Sequence, residues 1–144
     1  MNEKMAEVTD LHVLAKMANG TPNEEDAFVV KDKSGKLLAK IHSLRDLVDN
    51  LSTIKAEDIF PYLCREVKAE LECDLALWIH YVLGDAILSA KIFNLASVYK
   101  DQPDKLKLEV FNLCFNRYLN FQELMEFSDD LTPFNEEPVP PANL

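Results

Sequence analysis

The stretch LALWIHYVL, Leu75 to Leu83, is apolar at every position except His80 and is followed at once by Gly84-Asp85. A run this short and this apolar, flanked by helix-forming residues, predicts a central helix covered by neighbours on all sides, because a helix hydrophobic all round has no face to give to water. Gly84 then predicts a stop and Asp85 a cap for a second helix carrying Ile87, Leu88, Ile92, Phe93 and Leu95. The whole segment CDLALWIHYVLGDAILSAKIF therefore reads as two core helices joined by a Gly-Asp corner.

The other elements are shorter. Thr9 caps a predicted helix with Leu11, Leu14, Ala15 and Ala18 at helical spacing, ended by Asn19-Gly20. Residues 27–41 hold two apolar runs on either side of Lys33-Ser34-Gly35-Lys36, the pattern of a small hairpin. An isolated ribbon of two strands is marginal, so this one must rest on helices. Ser43 followed by Asp46 is an acidic variant of the capping box and starts a helix over about 44–51, with Leu44, Leu47, Val48 and Leu51 on one face. Ile59, Phe60 and Leu63 give another short apolar face, with Pro61 as a kink or a restart. Residues 65–72, REVKAELE, are strong helix formers and are expected either to run into the apolar stretch or to be separated from it by Asp74 as a cap. Pro103 opens a long helix to about residue 127, with Leu106, Val110, Phe111, Leu113, Cys114, Tyr118 and Leu119 on its buried side.

The expected fold class is thus mainly α, a compact bundle of about five or six helices with one small hairpin near the N-terminus. Residues 1–127 form one helical domain. Residues 128–144 hold four acids, no base and four of the seven prolines, and are read as an extended or disordered tail.

The hairpin, the Ser-capped helix and the apolar run together resemble a family of small helical domains of unknown function, found alone in archaea and bacteria or appended to glycosyltransferase-like proteins. The matching residues are LRDLVDNL (44–51), DIFPYL (58–63) and DLALWIHYVLGDAILSAKI (74–92), and the likeness covers roughly residues 27–95. The chain departs from the family where a His follows the aromatic matching Tyr62, since Leu63 stands here, and the segment from Tyr62 to Trp78 is about one helical turn longer. The resemblance implies a fold more than an activity.

Composition narrows the function classes. The net charge of −10 opposes non-specific binding to nucleic acid or to an anionic membrane. Charge is spread: nine acids and seven bases in residues 1–51, twelve and eight in residues 52–127, so only the tail is purely acidic. Cys64, Cys73 and Cys114 form no C-x-x-C pair and read as reduced, buried thiols. Met1–Glu7 lacks a basic segment followed by an apolar one, and no run is long enough to cross a bilayer, so a cytoplasmic protein is expected. With three glycines there is no Gly-rich phosphate loop, and no Glu-x-x-His motif offers a metal site, so neither cofactor nor metal is expected.

Four side chains stand out as a candidate pocket: Tyr62, Trp78, His80 and Tyr81. An imidazole within a buried helix can titrate or ligate, and rings can stack on a ligand. The weightier reading is that Trp78 and Tyr81 are packed and that His80 is a hydrogen-bonded core or interface residue. Asp58, Glu66, Glu70 and Asp74 read as a solvated helix face. In the tail, Leu131 and Phe134 among Glu136 and Glu137 suit a docking peptide for a basic groove, though the weightier reading is a solvating terminus. The expectation is a non-enzymatic protein–protein interaction module, with a homodimer as one form of it. An acidic mimic of nucleic acid and an enzyme or small-molecule binder centred on His80 are the alternatives.

Overall fold

The first hairpin shows how apolar alternation becomes structure. In the computed structural model, which describes residues 24–136 and the side chains of residues 24–124, β1 (Phe28–Lys31) pairs antiparallel with β2 (Leu37–Ile41). Phe28 lies opposite Ile41 and Val30 opposite Ala39, and these four side chains form the buried face. The register slips between Val30 and Lys31, where the turn begins. Asp32 builds that turn: its Oδ1 accepts hydrogen bonds from the backbone N–H groups of Ser34 and Lys36 and from the Ser34 hydroxyl, while Gly35 takes the left-handed φ of 89°. A 3-10 turn, Glu24–Asp26, precedes the hairpin. The helix expected after Thr9 lies outside the described residues.

Helix α1 (Leu44–Leu51) begins as its sequence requires, with the Asp46 N–H donating to Ser43 Oγ at 3.1 Å. The Asp46 carboxylate reaches back to the His42 N–H at 3.0 Å, which satisfies a second free donor. Helix α2 (Ala56–Leu63) runs through Pro61, an exposed residue, and buries Ile59 and Leu63.

Residues 65–72 correct the expectation of a helix. They form a second hairpin, β3 (Arg65–Val67) against β4 (Glu70–Glu72), so the described residues hold two strand pairs where one was expected. Lys68 and Ala69 occupy the two-residue turn with φ of 54° and 67°, the left-handed pair that a tight hairpin demands. Helix propensity is a weak prior, and here it yields to the extended backbone on either side of the turn. Glu66 and Glu70, expected one turn apart on a helix, sit on opposite strands. The following helix, α3 (Asp74–Trp78), is capped by Cys73, whose sulfur accepts the Ala76 N–H, and not by Asp74.

Helix α3 continues into a π-helical turn, Ile79–Leu83, closed by Gly84 at φ 79° with the Asp85 N–H on the Ile79 carbonyl. Helix α4 (Ala86–Val98) starts from Asp85, whose Oδ1 accepts the Leu88 N–H at 3.1 Å, as the sequence predicts. Helix α5 (Pro103–Glu136) continues past the end expected near residue 127. It is the spine of the molecule, with α1, α2 and α4 all packing on it. Leu106, Val110, Cys114 and Phe121 face inward. Leu119, expected on that side, is exposed because it lies off the line traced by those four residues. The described chain is mainly helical, and among the described residues no helix is long and apolar enough to cross a membrane.

Candidate functional site

Helix α3 and its π turn are not covered all round. Leu75, Ala76, Trp78, Ile79 and Leu83 are buried, but Leu77 is 49% exposed, Tyr81 is 77% exposed and His80 faces outward between them. Of the two places expected for His80, core or interface, the core is therefore corrected. An extra residue in a π turn changes which side chains face the core, and the two neighbouring elements cover only one side.

The four residues singled out from sequence divide into two pairs. Trp78 packs inward, 5.6 Å from the Phe28 ring, and donates its indole N–H to the Asp26 carbonyl at 2.7 Å. Tyr62 meets Phe28 edge-on at 5.6 Å, and its hydroxyl accepts the Lys31 N–H at 2.9 Å. These two rings fasten α2 and α3 to the first hairpin. His80 and Tyr81 instead touch each other, edge to face at 4.5 Å, on the outer surface. The structure does not bring all four into one pocket.

The Asp26 carbonyl that receives Trp78 is itself held in place. Glu24, two residues earlier, pairs with Lys40 on β2 and with His42 Nε2 at 3.1 Å, while His42 Nδ1 lies 3.5 Å from Asp46 on α1. Lys40 and His42 hold the Glu24 carboxyl below its ordinary range. This polar clasp is anchoring in its geometry, with both ring nitrogens of His42 turned toward carboxylates. Among the described residues, no group of three or more His, Cys, Asp or Glu side chains could hold a metal ion.

What the outer face does offer is a groove of about 480 Å³ between the second hairpin, α3 and α4. Leu71, Leu77, Ala86, Ala90 and Phe93 supply apolar lining, and Glu72, Cys73, His80 and Ser89 the polar points. Phe93 is 42% exposed, and Ile87, next to Ala86 on α4, is 57% exposed. Ala90 also lines a second depression of about 510 Å³ between α4 and α5, bounded by Lys91, Asn94, Glu109, Asn112 and Asn116. The two depressions thus adjoin across one helix.

The floor of the first groove is stiff. Ser89 Oγ donates to the Ala76 carbonyl at 2.7 Å, joining α4 to α3. Below the corner, Asp85 is 3% exposed and receives Arg117 of α5 through two hydrogen bonds of 2.8 Å, Nε to Oδ2 and Nη2 to Oδ1. The Arg117 guanidinium also lies 4.7 Å from the Phe121 ring. Asp85 was legible as a cap, but its partner was missed. The available signal was that Arg117 is the lone basic residue from position 108 onward, set in an otherwise apolar and uncharged stretch.

The tail residues Leu131, Phe134 and Glu136 lie on the last turns of α5, whose side chains there are not among those described, and Glu137 lies outside the described residues. The aromatic stripe of α5 is partly outward: Phe111 and Phe115 stack at 5.8 Å with their planes 8° apart, and Phe115 is exposed. No family model, curated protein or solved structure matches the chain.

Proposed function

We propose that the chain is a non-enzymatic interaction module that receives an amphipathic helix of another protein on the outer face of α3 and α4. The observation that carries this reading is the exposure of Leu77 and Phe93 in one groove with a rigid floor, together with exposed Tyr81 against His80 of its lining. Large exposed apolar side chains grouped beside a groove mark interaction sites, and Tyr is among the residues that most often anchor them. A helix presenting residues at i, i+3, i+4 and i+7 is the form of partner that such a groove accepts.

Charge specifies the partner further. Residues 65–74, which edge the groove, carry four acids and two bases, within a chain of net charge −10. The apolar stripe of the partner is therefore flanked by Lys or Arg, which steer it to this face. The acidic-mimic reading has less support, because Glu24, Glu72, Asp74, Asp85 and Glu109 each serve a local cation on different elements. The enzyme reading likewise has less support, because the contact described for His80 is the edge of the Tyr81 ring on the outer surface. The likeness of residues 27–95 to the family of small helical domains belongs to the same proposal, as a statement about fold.

The test is a titration of the isotope-labelled full chain with a library of helical peptides bearing an apolar stripe and basic flanks. The expected result is shift changes at Leu77, Tyr81, Ala90 and Phe93, with Tyr81→Ala weakening binding by about tenfold or more. Binding that leaves these signals in place, or that Tyr81→Ala and Leu77→Glu do not weaken, overturns the reading. Concentration-dependent dimerisation abolished by Leu77→Glu assigns the same face to a second copy and likewise overturns the heterologous partner.

A further inference from the structure

The ladder of the second hairpin places two cysteines opposite each other. Arg65 pairs with Glu72, Glu66 with Leu71 and Val67 with Glu70, so the next opposing pair outward is Cys64 and Cys73. Both have extended backbone, with φ and ψ of −148° and 111° at Cys64 and of −127° and 101° at Cys73. The two-residue turn makes Val67 and Glu70 the doubly hydrogen-bonded pair. Alternation along an antiparallel ladder then makes Cys64 and Cys73 a non-hydrogen-bonded pair. Such pairs hold their Cα atoms about 4.5 Å apart, inside the span of about 4.4–6.8 Å that a disulfide bridges.

Side-chain geometry agrees with this register. On the alternate face the Arg65 guanidinium meets Glu72 at 3.1 Å, so partners across the ladder do reach one another. The Cys73 sulfur lies 3.9 Å from the Tyr62 carbonyl, on the segment of chain that leads into Cys64. Both thiols are free, Cys64 partly open to solvent and Cys73 buried beside it. Cys114 is buried on α5, an element that is not part of this ladder.

We propose that Cys64 and Cys73 are a thiol oxidation site that closes reversibly into a cross-strand disulfide. With a small disulfide such as oxidised glutathione as the oxidant, the more open Cys64 thiolate attacks one sulfur of the oxidant, breaking its S–S bond and releasing one glutathione thiolate. Cys73, as thiolate, then attacks the Cys64 sulfur of the mixed disulfide and releases the second glutathione. The protein loses two electrons and two thiol protons, and the oxidant becomes two reduced glutathiones. The bond ties the last residue of the α2 cap to the first of the α3 cap, and because Cys73 also lines the outer groove, oxidation fixes one wall of that groove.

Rate follows the thiolate fraction. Burial pushes the Cys73 thiol up to about 11, and burial with Glu66 nearby raises Cys64 as well. Closure is therefore slow at neutral pH and quickens about tenfold per pH unit toward the alkaline side.

The experiment is incubation of the folded full chain with oxidised glutathione at alkaline pH, acid quenching and non-reducing peptide mapping. The expected product is a monomer lighter by two hydrogens with a Cys64–Cys73 linked peptide, formed equally in Cys114→Ser. Cys73→Ser stops at glutathione on Cys64, and Cys64→Ser gives no internal crosslink. A stable glutathione adduct in the wild-type chain, a crosslink through Cys114 or between two chains, or failure to react while the denatured chain reacts overturns the proposal.

Discussion

Arg117 grips both carboxylate oxygens of Asp85 at 2.8 Å, and the same carboxylate caps α4 through the Leu88 N–H. One nearly buried side chain thus joins the Gly84-Asp85 corner to the spine helix. Removing one partner strands the other in a place where water cannot replace it. Asp85→Ala is expected to cost about 3–5 kcal/mol and Arg117→Met a similar amount. In the double variant the losses are expected to be clearly less than additive, as a urea-denaturation cycle measures. Additive losses would mean the pair is not coupled.

The outward position of Tyr81 and Leu77 separates exposed from packed residues on one short helix. Tyr81→Ala and Leu77→Ser are expected to change folding stability by no more than about 0.5 kcal/mol. Ile79→Ala, between them and fully buried, is expected to cost about 2–5 kcal/mol. Thermal or urea unfolding of the three variants decides whether the groove face is free in solution.

Lys68 and Ala69 both hold a left-handed backbone that a side chain disfavours by about 1–2 kcal/mol per residue. Ala69→Gly is expected to stabilise the chain by about 1 kcal/mol or somewhat less, since glycine also loses more freedom on folding. A helix over residues 65–72 predicts the opposite sign, because glycine inside a helix destabilises it. The midpoint of unfolding reads the difference directly.

Two pH limits follow from the shifted groups. The Ser34 hydroxyl and the Lys36 and Ser34 N–H groups hold the Asp32 carboxyl low, so it stabilises the first hairpin above the ordinary carboxylate range. That contribution is lost as pH falls through and below that range, and amide exchange at Ser34 and Lys36 should rise there in the wild-type chain but not in Asp32→Asn, where it is already raised. The Cys73 thiol has the reverse sign. Its folded value near 11 exceeds the ordinary value of 9.0, so its stabilisation is complete below pH 9 and lost as pH climbs from there toward 11. Cys73→Ser should flatten the alkaline limb of the stability profile.

Local chemistry was legible wherever a residue acts on its own backbone. Ser43, Gly35, Gly84 and Asp85 all do in the structure what their side chains, or the lack of one, prescribe within four residues. The second hairpin was not legible because Lys68-Ala69 carries none of the Gly or Asn that usually marks such a turn, and its flanks favour a helix when taken alone. Trp78 was correctly read as packed, but the sequence could not separate it from His80 and Tyr81, because periodicity in an apolar run does not say which side has a neighbour.

The sequence by itself determined the helical character, the first hairpin, the capped starts of α1 and α4 and the corner between α3 and α4, because these depend on contacts between residues close in the chain. Only the tertiary structure decided that Arg117 meets Asp85, that Cys64 and Cys73 flank the two strands of the second hairpin and that Leu77, His80 and Tyr81 look outward. Those facts depend on how the spine helix and the second hairpin are placed in space. A side chain's burial is set by what lies across from it, which its own neighbours in sequence do not encode.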